Sequence, residues 1–69
     1  MTQADIDNRF RYHAPKEGQT EKYNVLREMA RRFAHEINQL CPESREKSLA
    51  ITNLEECSMW ANASIARNE

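Results

Sequence analysis

The stretch Thr20-Glu-Lys-Tyr23-Asn-Val-Leu26-Arg-Glu-Met-Ala30-Arg-Arg-Phe33-Ala-His-Glu-Ile37-Asn-Gln-Leu40 decides the fold. Its apolar positions Tyr23, Leu26, Ala30, Phe33, Ile37 and Leu40 follow one another by alternating steps of three and four. That is a heptad seam, the pattern of a helix laid along a partner helix. The opposite face carries Arg27, Glu28, Arg31 and Arg32, read as a solvated face in which Glu28 and Arg32 form a favourable i, i+4 pair. Thr20 is a suitable N-cap, and Glu21 suits the positive end of the helix dipole. Pro42 ends the helix, because the residue before a proline is pushed out of the α region. The spacing predicts a long helix over residues 20–41.

Working outward, Pro42 suits the first position of a second helix, with Glu43 and Glu46 in its first turn. This helix is expected over 42–67. One stripe runs through Ala50, Leu54, Cys57, Ala61, Ser64 and Ile65. A second comprises Leu49, Ile51 and Trp60, with Met59 and Ala63 nearby. Two stripes mean a helix covered on more than one side, and Trp60 is the natural contact anchor. A break of a residue or two makes the long helices antiparallel neighbours. Residues 1–19 form an N-terminal arm. Thr2 caps a short helix in which Ile6 and Phe10 share a face, and Pro15 and Gly18 bracket an irregular loop. The expected fold is all-α: a short N-terminal helix and loop, then an antiparallel two-helix hairpin, in one domain spanning 1–69.

A chain of 69 residues is too short for its own core to supply more than about 3–5 kcal/mol, so it needs a staple. Cys41 and Cys57 form no CxxC pair and read as two buried thiols in a reducing compartment. The run His35-Glu36-Ile37-Asn38-Gln39 nearly matches the HExxH zinc motif, but Gln39 stands where the second histidine belongs. Neither a disulfide nor a metal is expected, which leaves association with further copies of the chain.

The net charge of −1 gives no field to draw DNA or an anionic membrane. No apolar run approaches the length of a membrane span and there is no signal-peptide pattern, so the chain reads as cytoplasmic. No Ser/His/Asp order or glycine-rich phosphate loop occurs. Glu55 and Glu56 are adjacent on a helix and point apart. No catalytic residue and no cofactor are expected; the chain is not read as an enzyme.

The chemically informative stretch is Asn8-Arg9-Phe10-Arg11-Tyr12-His13-Ala14-Pro15-Lys16, continuing to Lys22. Aromatic rings interleaved with bases suit a phosphorylated ligand that carries bases: rings stack on purines while cations meet phosphates. The stretch feeds a helix N-terminus, where anions are favoured and where the Lys22 cation opposes the dipole. A plainer reading stands beside it, in which Phe10 packs the arm on the hairpin and Arg9 and Arg11 are surface cations.

The run from Asn8 to Pro15, then Gln19-x-x-Lys22-Tyr23, Cys41-Pro42-x-Ser44-Arg45-Glu46-x-Ser48-Leu49-Ala50, Leu54-Glu55 and Met59-Trp60-Ala61-Asn62-Ala63-x-Ile65-Ala66-Arg67 resembles the small phage anti-CBASS sponge proteins. The same hairpin occurs in sponges that counter Thoeris defence. One departure is Ala14, where proline is expected; it bears on loop stiffness and not on the ligand. The resemblance implies a homohexamer that binds cyclic oligonucleotide second messengers without cleaving them, in the cytoplasm of the infected bacterial host. Cyclic dinucleotides such as cyclic GMP-AMP would lie in pockets shared by two protomers, and cyclic trinucleotides in a separate set of sites. It implies that Tyr12 stacks on a purine and Lys22 meets a phosphate, with His13 and Arg11 at the same pocket. Asn8 and Arg67 would serve the second site; Arg67 also reads as an idle cation at a helix C-terminus.

Charge-assisted bonds of about 1.5–3 kcal/mol and stacks of about 1–3 kcal/mol, doubled by two-fold symmetry, suffice for submicromolar capture. Two other functions compete. A helical interaction module would dock a partner helix on the outer stripe of the second long helix. A phosphodiesterase would degrade the same messengers, but the sequence clusters no metal ligands and offers no evident nucleophile.

Overall fold

The computed structural model describes residues Met1–Glu69 as three helices and no strand: α1 (Gln3–Phe10), α2 (Gln19–Leu40) and α3 (Arg45–Asn68). No helix is long and apolar enough to cross a membrane.

Helix α1 starts where Thr2 predicts. The Thr2 hydroxyl accepts from the Asp5 amide at 3.1 Å, and the Asp5 carboxylate accepts from the Thr2 amide at 3.2 Å, a reciprocal capping box. The bond from the Thr2 backbone amide, foremost, and the Thr2 hydroxyl beside it hold the Asp5 carboxyl below the usual carboxylate range. No residue of α1 is buried, and Phe10 is 85% exposed. Phe10 therefore does not pack the arm on the hairpin.

Helix α2 begins before Thr20. Its N-cap is Gly18, whose φ of 84° lies in the left-handed region that a side chain disfavours. The next residue, Gln19, is 3% exposed and ties three segments together. Its Oε1 accepts from the Lys16 amide at 2.9 Å, and its Nε2 donates to the Ile65 carbonyl of α3 at 3.5 Å. Thr20 is thus a residue inside the helix, because the glycine turn and the glutamine clamp start the helix ahead of it.

The connection to α3 has four residues, Cys41–Ser44, and not one or two. Pro42 lies outside α3. The N-cap is Ser44, whose hydroxyl accepts from the Lys47 amide at 3.1 Å and donates to the Pro42 carbonyl at 3.1 Å. A serine satisfies an orphan amide that a proline at the first position leaves open, so the cap moves to the serine. Lys47 is 8% exposed. Its ammonium donates to the Asn38 carbonyl at 3.0 Å and pairs with Glu43 at 2.5 Å, closing this end of the hairpin. Gln19 and Ile65 close the other end, so α2 and α3 run antiparallel.

Between these polar clamps the seam is only half covered. Tyr23, Leu26, Ala30, Ala34 and Ile37 of α2 are half-buried, against Ala50, Ile51, Leu54, Ser58, Ala61, Asn62 and Ile65 of α3. Phe33 and Leu40 leave the expected seam and are exposed. A straight helix drifts against a strict heptad, so Ala34 takes the contact two turns on. Ile51 also leaves its expected stripe and turns toward α2, lining a groove with Ala30 and Ala34. Leu49, Met59 and Trp60 stay exposed. The surface charge pair is Glu28 with Arg31 at 3.2 Å, not Glu28 with Arg32. Cys41 and Cys57 are both exposed free thiols in this chain, contrary to the buried pair expected. Cys41 stands at the C-cap of α2, and Cys57 borders an apolar groove. No hydrophobic residue is buried. The molecule is a slab of 44 × 29 × 12 Å.

Candidate ligand-binding site

Successive residues on a helix point about 100° apart, so Lys22 and Tyr23 stand on opposite flanks of the seam. Each flank carries its own hollows. On the Lys22 flank an open groove of about 490 Å³ is lined by Gly18, Glu21, Lys22, Val25, Leu26 and Ile65. It continues at Leu26 into a second groove of about 400 Å³ walled by Met29, Phe33, Leu54, Cys57 and Ala61 among others. One end of this flank is charged, with Glu21 and Lys22 side by side in sequence, and the rest is apolar.

The Lys22 ammonium does not stand alone. It donates to the Glu69 carboxylate at 2.7 Å, and the Lys16 ammonium donates to the Glu69 carbonyl. The bond from Lys22, foremost, holds the Glu69 carboxyl below the usual glutamate range. The cation that opposes the dipole of α2 therefore has a local use, fastening the end of α3 to the start of α2.

On the Tyr23 flank a hollow of about 320 Å³ is lined by His13, Pro15, Tyr23, Arg27, Asn62, Ala63 and Ala66. The His13 ring sits 2.8 Å from the Asn8 main-chain carbonyl through Nε2, and the Asn8 side-chain Nδ2 donates to the Arg67 carbonyl at 3.3 Å. Asn8, His13 and Arg67 are thus brought together where the arm crosses the end of α3. The Arg67 side chain borders a smaller hollow of about 160 Å³ with Met59, Trp60 and Ala63.

Tyr12 is 84% exposed on the extended segment after α1 and lines none of these hollows. Arg11, the C-cap of α1, is exposed beside it. Within one chain Tyr12 and Lys22 do not share a groove.

Sequence reasoning passed over three residues here. Tyr23 read as seam, Arg27 as solvated surface, and Asn62 had no role on the second long helix, while Lys16 already belongs to the basic and aromatic stretch. The Asn62 Oδ1 is buried without a hydrogen-bond partner. No group of three or more His, Cys, Asp or Glu residues could hold a metal ion.

Fold and grooves together define a class: an open helical hairpin whose flanks carry shallow grooves edged by charged and aromatic side chains. The chain belongs to the Acb2/Tad1 hairpin-domain family, whose model matches residues 2–66. This is the family of phage sponges that counter CBASS and Thoeris defence, and membership implies sponge-type binding of signalling molecules. No curated protein and no solved structure matches the chain.

Proposed function

We propose that this protein sequesters cyclic oligonucleotide second messengers without cleaving them, and so keeps bacterial CBASS signalling off during infection. Its ligands are cyclic dinucleotides such as cyclic GMP-AMP, with cyclic trinucleotides at a second set of sites. It acts in the host cytoplasm as a homo-oligomer, a hexamer as in its family, and it turns nothing over.

The observation that carries this reading is the Lys22 end of the large groove. There an ammonium already engaged with a carboxylate borders an apolar floor of Val25, Leu26 and Ile65. A phosphate takes the ammonium, and a base covers the floor. Tyr12, solvent-exposed and away from every groove of its own chain, reaches the ligand from a second copy. His13 and Arg11 accompany Tyr12, while Asn8 and Arg67 serve the second site.

The test is calorimetry against a panel of cyclic di- and trinucleotides, followed by heat release and analysis of the ligand. Intact nucleotide recovered in full is expected; linear or hydrolysed product overturns the sponge reading. Lys22→Ala removes a charge-assisted bond of about 1.5–3 kcal/mol, or about 10–150-fold in affinity. Tyr12→Ala is expected to cost a similar factor through its stack. Neither is expected to alter assembly size, and unchanged affinity in both removes the assigned pocket.

One observation favours a second reading. Trp60 is 67% exposed, with Met59 and Leu49 also exposed on α3, which suits docking of a partner helix. A monomeric protein that ignores every nucleotide in the panel supports that reading instead.

A further inference from the structure

We propose that Lys16 and Lys22 form one anion subsite, and that Glu69 occupies it as a built-in competitor that an incoming phosphate must displace. This rests on the reading of Lys22 as a phosphate contact and adds to it a second cation and an internal gate. Lys16 lies in the loop before α2 and Lys22 in the first turn of α2. Both ammoniums nevertheless converge on one residue at the far end of α3, Lys22 on the Glu69 carboxylate at 2.7 Å and Lys16 on the Glu69 carbonyl. An anionic group thus already sits where two cations meet, beside the groove whose floor is apolar. Glu21 lines the same groove but makes no ion pair, so the Glu69 side chain is the carboxylate that holds Lys22, while the main-chain oxygen of the same residue holds Lys16.

The contact is built to be lost. The Lys22 and Glu69 side chains are 54% and 41% exposed, and ion pairs this open to water are weak and screened by salt. A phosphodiester offers the same two lysines a full charge on two oxygens, in a geometry that charge-assisted bonds favour. Glu69 therefore lowers affinity by a small factor and keeps the lysine pair ordered while it is empty.

The experiment compares the full-length wild type, Glu69→Gln, Glu69→Ala and the double variant Lys16→Ala/Glu69→Gln. Calorimetry at low ionic strength uses inorganic pyrophosphate and, separately, cyclic GMP-AMP; circular dichroism and sedimentation check fold and assembly. Glu69→Gln and Glu69→Ala are expected to bind pyrophosphate about three- to fivefold more tightly than wild type. The double variant is expected to lose that gain. Pyrophosphate affinity that is unchanged or weaker in both single variants makes Glu69 a mere staple and overturns the proposal. Tighter pyrophosphate binding without any uptake of cyclic nucleotide upholds the subsite and removes the proposed function. Cyclic GMP-AMP bound equally by wild type and Glu69→Gln, with pyrophosphate unaffected, does the reverse.

Discussion

At the residue scale, the two buried positions of this chain are both polar, Gln19 and Lys47. Lys47 illustrates what such a residue does. Its stem is covered, its ammonium satisfies the Asn38 carbonyl near the C-terminus of α2, and Glu43 offsets its charge. The last carbonyls of a helix lack partners within the helix, so one side chain here supplies what the backbone cannot. Lys47→Met keeps the stem and removes the donor. It is expected to cost about 1–3 kcal/mol, read as a lower urea midpoint at fixed protein concentration, with Lys47→Arg retaining part of the loss. A midpoint equal to wild type refutes the clamp. Neither clamp was legible in the sequence. The partners across the hairpin of Gln19 and Lys47 lie 46 and nine positions away, and their local partners Lys16 and Glu43 carry no sign that either residue folds inward. Lys22, by contrast, was singled out from sequence by its conflict with the helix dipole. That conflict is local, and it did mark an engaged cation.

At the scale of elements, three helices and their order were readable because their signals are local: a capping threonine, Pro15 and Gly18 in the loop, and Pro42 between the long helices. Their exact starts were not. Gly18 displaced Thr20 as cap, and the second long helix starts behind a Ser44 cap instead of at Pro42, since the winning cap depends on which amide is left open once the chain turns. The two serine/threonine caps differ in what they support. Thr2 caps a helix with no buried residue, whereas Ser44 caps the helix that forms half of the seam. Each loss is worth about 1 kcal/mol to its own helix. Ser44→Ala is therefore expected to lower the global melting temperature by about 4–8 °C, while Thr2→Ala frays α1 and leaves the global transition unmoved. Amide exchange of α1 alongside calorimetry separates the two. Equal shifts in global melting would mean that α1 is part of the cooperative unit after all. Acid reaches α1 by the same route. The capping box depresses the Asp5 pKa, so its contribution is complete above the ordinary aspartate pKa and fades as pH falls through the depressed value.

At the scale of the whole molecule, the slab has more surface than a folded monomer of its size. A protein of 8.1 kDa exposes about 4,500 Å² when folded alone; this chain exposes 5907 Å². Its radius of gyration, 15.2 Å, exceeds the roughly 11 Å of a compact domain of this length. The excess of about 1,400 Å² is more than the roughly 800 Å² that each partner buries in one standard interface. Association that covers this excess is expected, and two exposed apolar regions are available to it: Val25, Met29 and Phe33 on α2, and Leu49, Met59 and Trp60 on α3. The inference from sequence that the hairpin is too thin to stand alone rests on the same physics, although which residues stay bare depended on helix drift that the heptad pattern does not display. The expected species in sedimentation is a multiple of the 8.1 kDa chain. Because association and folding are then one equilibrium, a tenfold rise in protein concentration is expected to stabilise each chain by about 1 kcal/mol, raising melting by about 4–8 °C. Phe33→Glu puts a charge on the groove it shares with Met29, Leu54 and Cys57. With no buried hydrophobic residue to fall back on, the freed chains are expected to lose helical signal as they dissociate. A Phe33→Glu variant that stays helical as a lone chain, with melting independent of concentration, would show that the polar clamps at the two ends hold the hairpin unaided.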